Sequence, residues 1–255
     1  MTTRLRRLGA LVVIATLVSA TAPLRAQGVQ AGQPSNQELL NELKAIRQLL
    51  ETLNARLTPP TAPAPAANRP VRLNEVKGLM LGKADAPLTM VEFTDLQCPF
   101  CRQFHLAAFE QIKRDYIDTG KLRYFSRDYP IPSLHPLATA AAKASSCAAD
   151  QDKFWEMRHL ILAGNQQLRP ESFGAFAQDL RLDMAKFAAC ANDPAAHSAQ
   201  LAKDIADANS IGINGTPTFV VGRTAPTGLD GVLVVGAQPF AVFDAKFKEL
   251  LSAVR

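Results

Sequence analysis

The chain has 255 residues, 47% of them hydrophobic and 20% charged, the composition of an ordinary folded protein with room for one large domain or one domain and appendages. Its net charge of +5 invites a nucleic-acid reading, but Arg4, Arg6, Arg7 and Arg25 all lie in the first 26 residues, which contain no acid. Without that segment the net charge is +1, so the basic balance excludes itself as an argument for a nucleic-acid partner.

In chain order, residues 1–26 carry the three parts of a secretory signal. Arg4, Arg6 and Arg7 form the charged start, Leu8 to Ala20 the apolar run, and small residues offer cleavage after Ala20 or Ala26. The run is short for a membrane span of roughly 20 residues, and retention as an anchor is the alternative. Either way the remainder is expected outside the cytoplasm, in the periplasm, where disulfides persist. All four cysteines lie there.

Residues 37–57 hold the most regular helical pattern. Leu39, Leu43, Ile46, Leu50, Leu53 and Leu57 alternate spacings of 4 and 3, the seam of a short coiled coil. Glu42 and Arg47 fall at positions g and e, where an interchain ion pair would sit. This predicts a homo-oligomer, against the plainer reading of one amphipathic helix docked on its own domain. Residues 58–70, with five prolines, read as a stiff extended linker.

From about residue 75 the text becomes mixed α/β. It predicts strands at Leu88–Thr94, Lys121–Ser126, Thr218–Val221 and Leu233–Val235. Helical pattern covers 99–118, several stretches of 135–192, then 195–210 and finally Phe240–Val254. Strand, helix, strand, a helical block, then a strand pair and a helix form an α/β layout with an insertion.

Cys98-Pro99-Phe100-Cys101 follows the first of these strands and opens a helix. One helical turn brings the two sulfurs together, and the first meets unpaired backbone N–H groups and the positive end of the helix dipole. Both favour thiolate at Cys98, which makes it the attacking sulfur, with Cys101 one turn inside as the resolving thiol. Pro99 suits a first turn, where its missing N–H has no intrahelical use. A stable disulfide and half of a zinc site are the competing readings; for zinc only His105 lies nearby. Cys147 and Cys190 sit in apolar helical text, and are expected to form a structural disulfide rather than two separate buried thiols. The histidines, His105 included, read as solvated or core residues.

Residues 92–101 (EFTDLQCPFC), with Gly215-Thr216-Pro217-Thr218-Phe219, resemble the thioredoxin superfamily and specifically its disulfide-bond protein A (DsbA-like) branch. Tyr129 to Ala138 and Phe154-Trp155-Glu156-Met157 are similar to that branch within its helical insertion. The likeness spans roughly residues 75–255 and implies a thioredoxin-like fold with a helical insertion at about 135–192. It implies Cys98 as nucleophile, Cys101 as resolving cysteine, and Pro217 as a cis-proline facing them. Thr216 would lend backbone groups to an extended substrate. Glu92, six residues before Cys98, would be the buried acid that takes the Cys101 proton. Some DsbA-like branches carry a second disulfide. Phe100 departs from the Pro-His dipeptide of the strongest oxidants and cannot donate a hydrogen bond to a thiolate. A less lowered pKa for Cys98 and a less oxidising disulfide are therefore expected.

These residues predict an exported thiol–disulfide oxidoreductase, either an oxidase or, if oligomeric through 37–57, an isomerase or reductase. Its partners would be exported proteins with thiols or disulfides and a redox partner that recycles the pair. The reading calls for no cofactor and no metal. The alternative is a periplasmic copper-binding or metal-delivery protein that holds copper(I) on the reduced Cys98–Cys101 pair.

Overall fold

A computed structural model describes residues 35–57 and 69–252 of the chain. The expected signal at 1–26 and nearly all of the linker at 58–70 lie outside the described residues. The chain divides into two compact units, with the boundary after Pro60.

The first unit contributes one helix, α1 (Asn36–Leu57). A capping box fixes its start. The Ser35 backbone N–H donates to the Glu38 carboxylate at 2.7 Å, and the Glu38 N–H donates to the Ser35 hydroxyl at 3.2 Å. Leu39, Leu43, Ile46 and Leu50 stand exposed along it. Among the described residues no helix is long and apolar enough to cross a membrane.

The second unit is built on a six-stranded sheet of order β1-β6-β5-β3-β4-β2. Its strands are β1 (Pro70–Leu73), β2 (Leu79–Leu81), β3 (Leu88–Thr94), β4 (Leu122–Asp128), β5 (Thr218–Arg223) and β6 (Leu229–Val235). Only β3 and β4 pair in parallel; the other pairings are antiparallel. All seven residues of β3 are buried, as its continuous apolar text requires of a central strand. Helices α2 (Pro99–Leu106) and α3 (Ala108–Ile112) follow β3, and α9 (Phe240–Ser252) follows β6. Between β4 and β5 come α4 (Ala138–Ala149), α5 (Phe154–Gly164), α6 (Ser172–Asp179), α7 (Met184–Asn192) and α8 (Ser198–Ser210). This is the expected thioredoxin-like α/β fold with a helical insertion.

Three apolar cores hold it. Met90, Phe104, Phe109, Tyr124, Phe219, Phe243 and Phe247 fill the face under α2, α3 and α9. Val91, Phe93, Phe125, Val220 and Leu233 fill the opposite face with Ala208 of α8. The third core belongs to the insertion, where Ala141, Met157, Ile161, Phe173 and Phe187 pack together, and Cys98 and Cys101 are part of it. The cysteines thus sit where the insertion closes over the end of β3.

The structure corrects the predicted elements in several places, and β5 runs to Arg223 rather than Val221. β1 and β2 were not predicted, since strands of four and three residues at a sheet edge leave no alternation to read. β4 runs two residues past the predicted Ser126 because Arg127 is buried against Asp204 and Asp207 of α8, each at 2.7 Å. β6 begins at Leu229 rather than Leu233. Its Gly231 faces Gly222 of β5, and a Cβ at Gly231 would meet the Val221 carbonyl oxygen at 2.6 Å. The glycine that lowers strand propensity is what lets the two backbones approach. The predicted helix over 99–118 breaks at Ala107 (φ −120, ψ −78) and ends in a π-helical turn, Lys113–Ile117. In an unbroken helix Phe104 and Phe109 would point about 140° apart. The break lets both reach one core, with ring centroids 6.1 Å apart.

A disulfide joins Cys147 of α4 to Cys190 of α7, closing 43 residues of sequence separation. On the chain-entropy account a loop of this size contributes about 4 kcal/mol. A Cys147→Ala/Cys190→Ala variant is expected to lose about 3–4 kcal/mol in urea unfolding, with the loss concentrated in the insertion. A change below about 1 kcal/mol would show that helix packing alone holds α4 to α7.

Candidate active site

β3 ends at Thr94, and the turn into α2 is organised by Asp95, which is buried. Its carboxylate accepts from the backbone N–H groups of Gln97 and Ile131, each at 2.8 Å, and lies 2.8 Å from Nδ1 of His135. Its carbonyl accepts the Cys98 N–H at 3.0 Å. One acidic side chain therefore ties the loop after β4 to the turn that presents the cysteines. Cys98 is the N-cap of α2 with extended backbone (φ −67, ψ 127), and Pro99 takes the first turn. The Cys98 carbonyl accepts both the Arg102 N–H at 3.1 Å and Nδ2 of buried Asn165 at 3.0 Å, so the insertion also grips the helix start.

Both cysteines are free thiols, Cys98 with 4% of its surface exposed and Cys101 with none. Their environments drive them apart. The Cys101 thiol donates to the Cys98 sulfur, and with the backbone N–H groups of Cys101 and Phe100 it pulls Cys98 down to about 6, against the opposing effect of burial. Burial pushes Cys101 well up, and the negative charges of Cys98 and Glu92 add to that. The N–H groups at the helix start contribute as the sequence suggests, but the partner thiol contributes most.

The Thr216–Pro217 peptide bond is cis, and the Thr216 carbonyl accepts the Cys98 thiol at 3.5 Å. Phe100 between the cysteines is 60% exposed, which leaves an aromatic face beside the reactive sulfur.

Glu92 is fully buried on β3 and has a partner that the sequence reading did not supply. Arg158 of α5, itself 1% exposed, donates from Nη2 to Glu92 Oε2 at 2.7 Å. The same guanidinium bonds the Tyr124 hydroxyl at 3.0 Å, the Ser126 hydroxyl at 3.1 Å and His105 Nδ1 at 3.1 Å. Tyr124 also donates to Glu92 Oε2, while Glu92 Oε1 is buried with no hydrogen-bond partner. Glu92 thus has one oxygen clamped and one without a hydrogen-bond partner.

Two groups of three metal-ligating side chains occur among the described residues, and neither includes Cys98 or Cys101. In the first, His105 Nε2 lies 3.0 Å from His159 Nδ1, with Glu110 close by. Arg158 can only donate, so its contact with His105 Nδ1 leaves the proton of the neutral ring on Nε2. Burial, Arg158 and His159 lower His105 to about 3, which keeps that ring neutral. Nε2 then donates to His159 and has no lone pair for a metal. This histidine is a structural link between α2 and α5. The second group, Cys147, Cys190 and His197, lies in the insertion.

Sequence reasoning missed Asp95, Arg158 and Asn165. Arg158 was visible in outline, since Phe154, Met157, Ile161 and Leu162 define the buried face of α5 and Arg158 falls on it. A cation on an apolar face requires an anion. Asp95 carried the weaker signal of a turn-forming residue just before a helix start. Asn165 carried none.

A family model described as Thioredoxin matches residues 74–228. The solved structure of Wolbachia pipientis alpha-DsbA1 superposes with a TM-score of 0.62 at 24% identity, over 78% of this chain and 96% of that one. BdbD from Bacillus subtilis (oxidised) gives 0.57 at 24% identity, covering 70% and 99%. Both share the fold. Among curated proteins, "Na(+)/H(+) antiporter NhaA 3" of Salinispora tropica is 37% identical over 140 residues, 55% of this chain and 21% of that protein. "Na(+)/H(+) antiporter NhaA" of Herminiimonas arsenicoxydans is 33% identical over 140 residues, again 55% and 21%. The chain spans about a fifth of the length of these curated relatives.

Iodoacetamide should modify reduced Cys98 with a midpoint near pH 6 and leave Cys101 unmodified across that range. Because the folded pKa of Cys98 is depressed, its ionisation stabilises the reduced protein above its unfolded pKa, and the gain is lost as pH falls through about 6. Urea unfolding of reduced wild type against Cys98→Ala should therefore diverge between about pH 6 and pH 9. Parallel curves would refute the shift. Arg158→Met should cost about 3–5 kcal/mol by leaving Glu92 buried and unpaired, and adding Glu92→Gln should restore most of it. Additive losses would mean that the two side chains do not act as a pair.

Proposed function

Because this chain belongs to the thioredoxin family, we propose that it exchanges disulfides with exported proteins, using Cys98 as nucleophile and Cys101 as resolving thiol. The observation that carries the reading is the opposite displacement of two sulfurs one helical turn apart, Cys98 down to about 6 and Cys101 upward. At neutral pH one is thiolate and the other thiol, which is the distribution that exchange requires. The Cys98 thiolate attacks one sulfur of a substrate disulfide and expels the other. Cys101, giving its proton to Glu92 Oε1, then attacks the Cys98 sulfur, releasing the second substrate thiol and leaving a Cys98–Cys101 disulfide. The reverse sequence donates that disulfide to a dithiol substrate. A recycling redox partner resets the pair in either direction.

The Thr216 carbonyl beside the Cys98 sulfur supports a role for that backbone in holding an extended substrate. The exposed ring of Phe100 supports a preference for apolar segments near the substrate cysteine. A Cys98 pKa of about 6 lies well above the roughly 3.5 of the strongly oxidising DsbA, and this supports a milder oxidant. Export rests on the pattern of residues 1–26.

The exposed leucine stripe of α1 favours a more specific reading, in which copies of the chain assemble through residues 37–57 and act as an isomerase. Leu43 and Leu50 are each 61% exposed, a large apolar exposure for two residues of one helix face. Two redox domains on one stalk would hold a misfolded substrate between them at high effective concentration.

The discriminating experiment is refolding of scrambled ribonuclease by wild type and by Leu43→Glu/Leu50→Glu, with sedimentation equilibrium on both. The wild type should sediment as an oligomer and reshuffle the substrate. The variant should be monomeric and at least about tenfold slower, with insulin reduction retained. A monomeric wild type sinks the isomerase reading alone, whereas absence of any exchange with insulin or ribonuclease sinks the assignment itself.

A further inference from the structure

The C-terminus of α4, the last turn of α7 and the first residue before α8 converge on one small group of side chains. Cys147 and Cys190 are bonded there, with Cα atoms 5.8 Å apart. A ring nitrogen of His197 lies within 4.8 Å of both sulfurs. The Asp150 carboxylate lies 2.9 Å from His197 Nε2 and 3.6 Å from the Cys190 sulfur.

Two of those separations are close to the spacing of neighbouring atoms in a tetrahedral coordination shell. With zinc–sulfur bonds of about 2.3 Å and zinc–nitrogen or zinc–oxygen bonds of about 2.0 Å, neighbouring ligand atoms sit about 3.5 Å apart for a sulfur with a nitrogen or oxygen. The same bonds give about 3.3 Å for a nitrogen with an oxygen and about 3.8 Å for two sulfurs. The nitrogen–oxygen and sulfur–oxygen distances are already close to those values. The sulfur–sulfur bond must open, and the half-exposed Asp150 side chain, which lies outside the group of atoms within 4.8 Å of one another, must turn toward Cys147. His197 caps α8 with φ at 57, a left-handed conformation that is costly for a side chain bearing a Cβ. His197 also lines a cavity of about 300 Å³ with Ser146 and Gln200.

We propose that reduction of the Cys147–Cys190 disulfide creates a zinc site formed by Cys147, Cys190, His197 and Asp150. The reductant is a dithiol, which becomes a disulfide as Cys147 and Cys190 become thiols. Zinc(II) then displaces one proton from each thiol and is held by two thiolates, one neutral imidazole and one carboxylate. This donor set is borderline-soft and four-coordinate, which favours zinc over calcium or magnesium. The disulfide and the metal thus become alternative crosslinks between α4 and α7. None of these groups belongs to the Cys98–Cys101 pair, so the inference stands apart from the proposed exchange activity.

The test uses the full chain carrying Cys98→Ser/Cys101→Ser, which removes the competing dithiol. After reduction by a phosphine and its removal without oxygen, zinc is titrated against a chromophoric chelator. Cobalt(II) serves as a spectroscopic substitute. The reduced protein should bind one equivalent and show sulfur-to-cobalt charge transfer with ligand-field bands of tetrahedral intensity, and the oxidised protein should bind none. His197→Ala, at a partly exposed position that leaves the disulfide intact, should weaken zinc binding by at least about tenfold after reduction. Equal zinc binding by oxidised and reduced protein, or undiminished affinity in His197→Ala, overturns the proposal. If the reduced insertion loses helical circular dichroism, its recovery on adding zinc supports the site, and a failure to recover overturns it.

Discussion

One buried guanidinium holds the helical insertion to the strand beneath the cysteines. Arg158 lies on α5 with no path to solvent, and it bonds Glu92 of β3, Tyr124 and Ser126 of β4 and His105 of α2. The rings of Phe109, Tyr124 and Trp155 surround it at 5.7–6.0 Å. A charge taken from water in this way is tolerable only when its partner and its remaining donors are satisfied. The constraint acts in both directions. Glu92 cannot be buried without Arg158, and Arg158 cannot be buried unless α5 packs onto the sheet where β3 and β4 run side by side.

That constraint explains why Cys98 and Cys101 belong to the core of the insertion instead of lying open at a helix tip. With the insertion docked, Asn165 reaches the Cys98 carbonyl and water is excluded from Cys101. The low dielectric raises Cys101 directly and strengthens the thiol hydrogen bond from Cys101 to the Cys98 sulfur, the largest cause of the lowering at Cys98. The helix start contributes N–H groups to the same sulfur. Asymmetry between two chemically identical groups thus comes from burial depth and from the direction of a single hydrogen bond.

Elsewhere the same economy recurs at the edge of the insertion. Arg127 anchors α8 through Asp204 and Asp207, and the disulfide staples α4 to α7. Asp95 fastens the loop after β4 to the turn before Cys98. Each of these ties joins segments 36 or more residues apart in sequence. A helical block with its own apolar core is fixed to the sheet by these polar contacts together with the apolar ones at Cys98, Cys101 and Ala208.

Much of this was legible in the sequence because it is local. The apolar run LTMVEFT marks a buried strand, proline after Cys98 marks a helix start, and the leucine spacing of residues 37–57 marks an amphipathic helix. Each is a property of a few neighbouring residues, so periodicity and backbone sterics suffice to reveal it. The edge strands β1 and β2, the break at Ala107 and the glycine pair Gly222–Gly231 were not legible, because each depends on what a distant segment brings alongside. The partner of Glu92 was hidden for the same reason, since 66 residues separate it from Arg158. Sequence by itself determined the spacing of the two cysteines and that a helix would present them. Tertiary structure alone decided how deeply each sulfur is buried and which cation faces the acid beneath them, because desolvation and charge pairing are properties of a volume rather than of a stretch of chain.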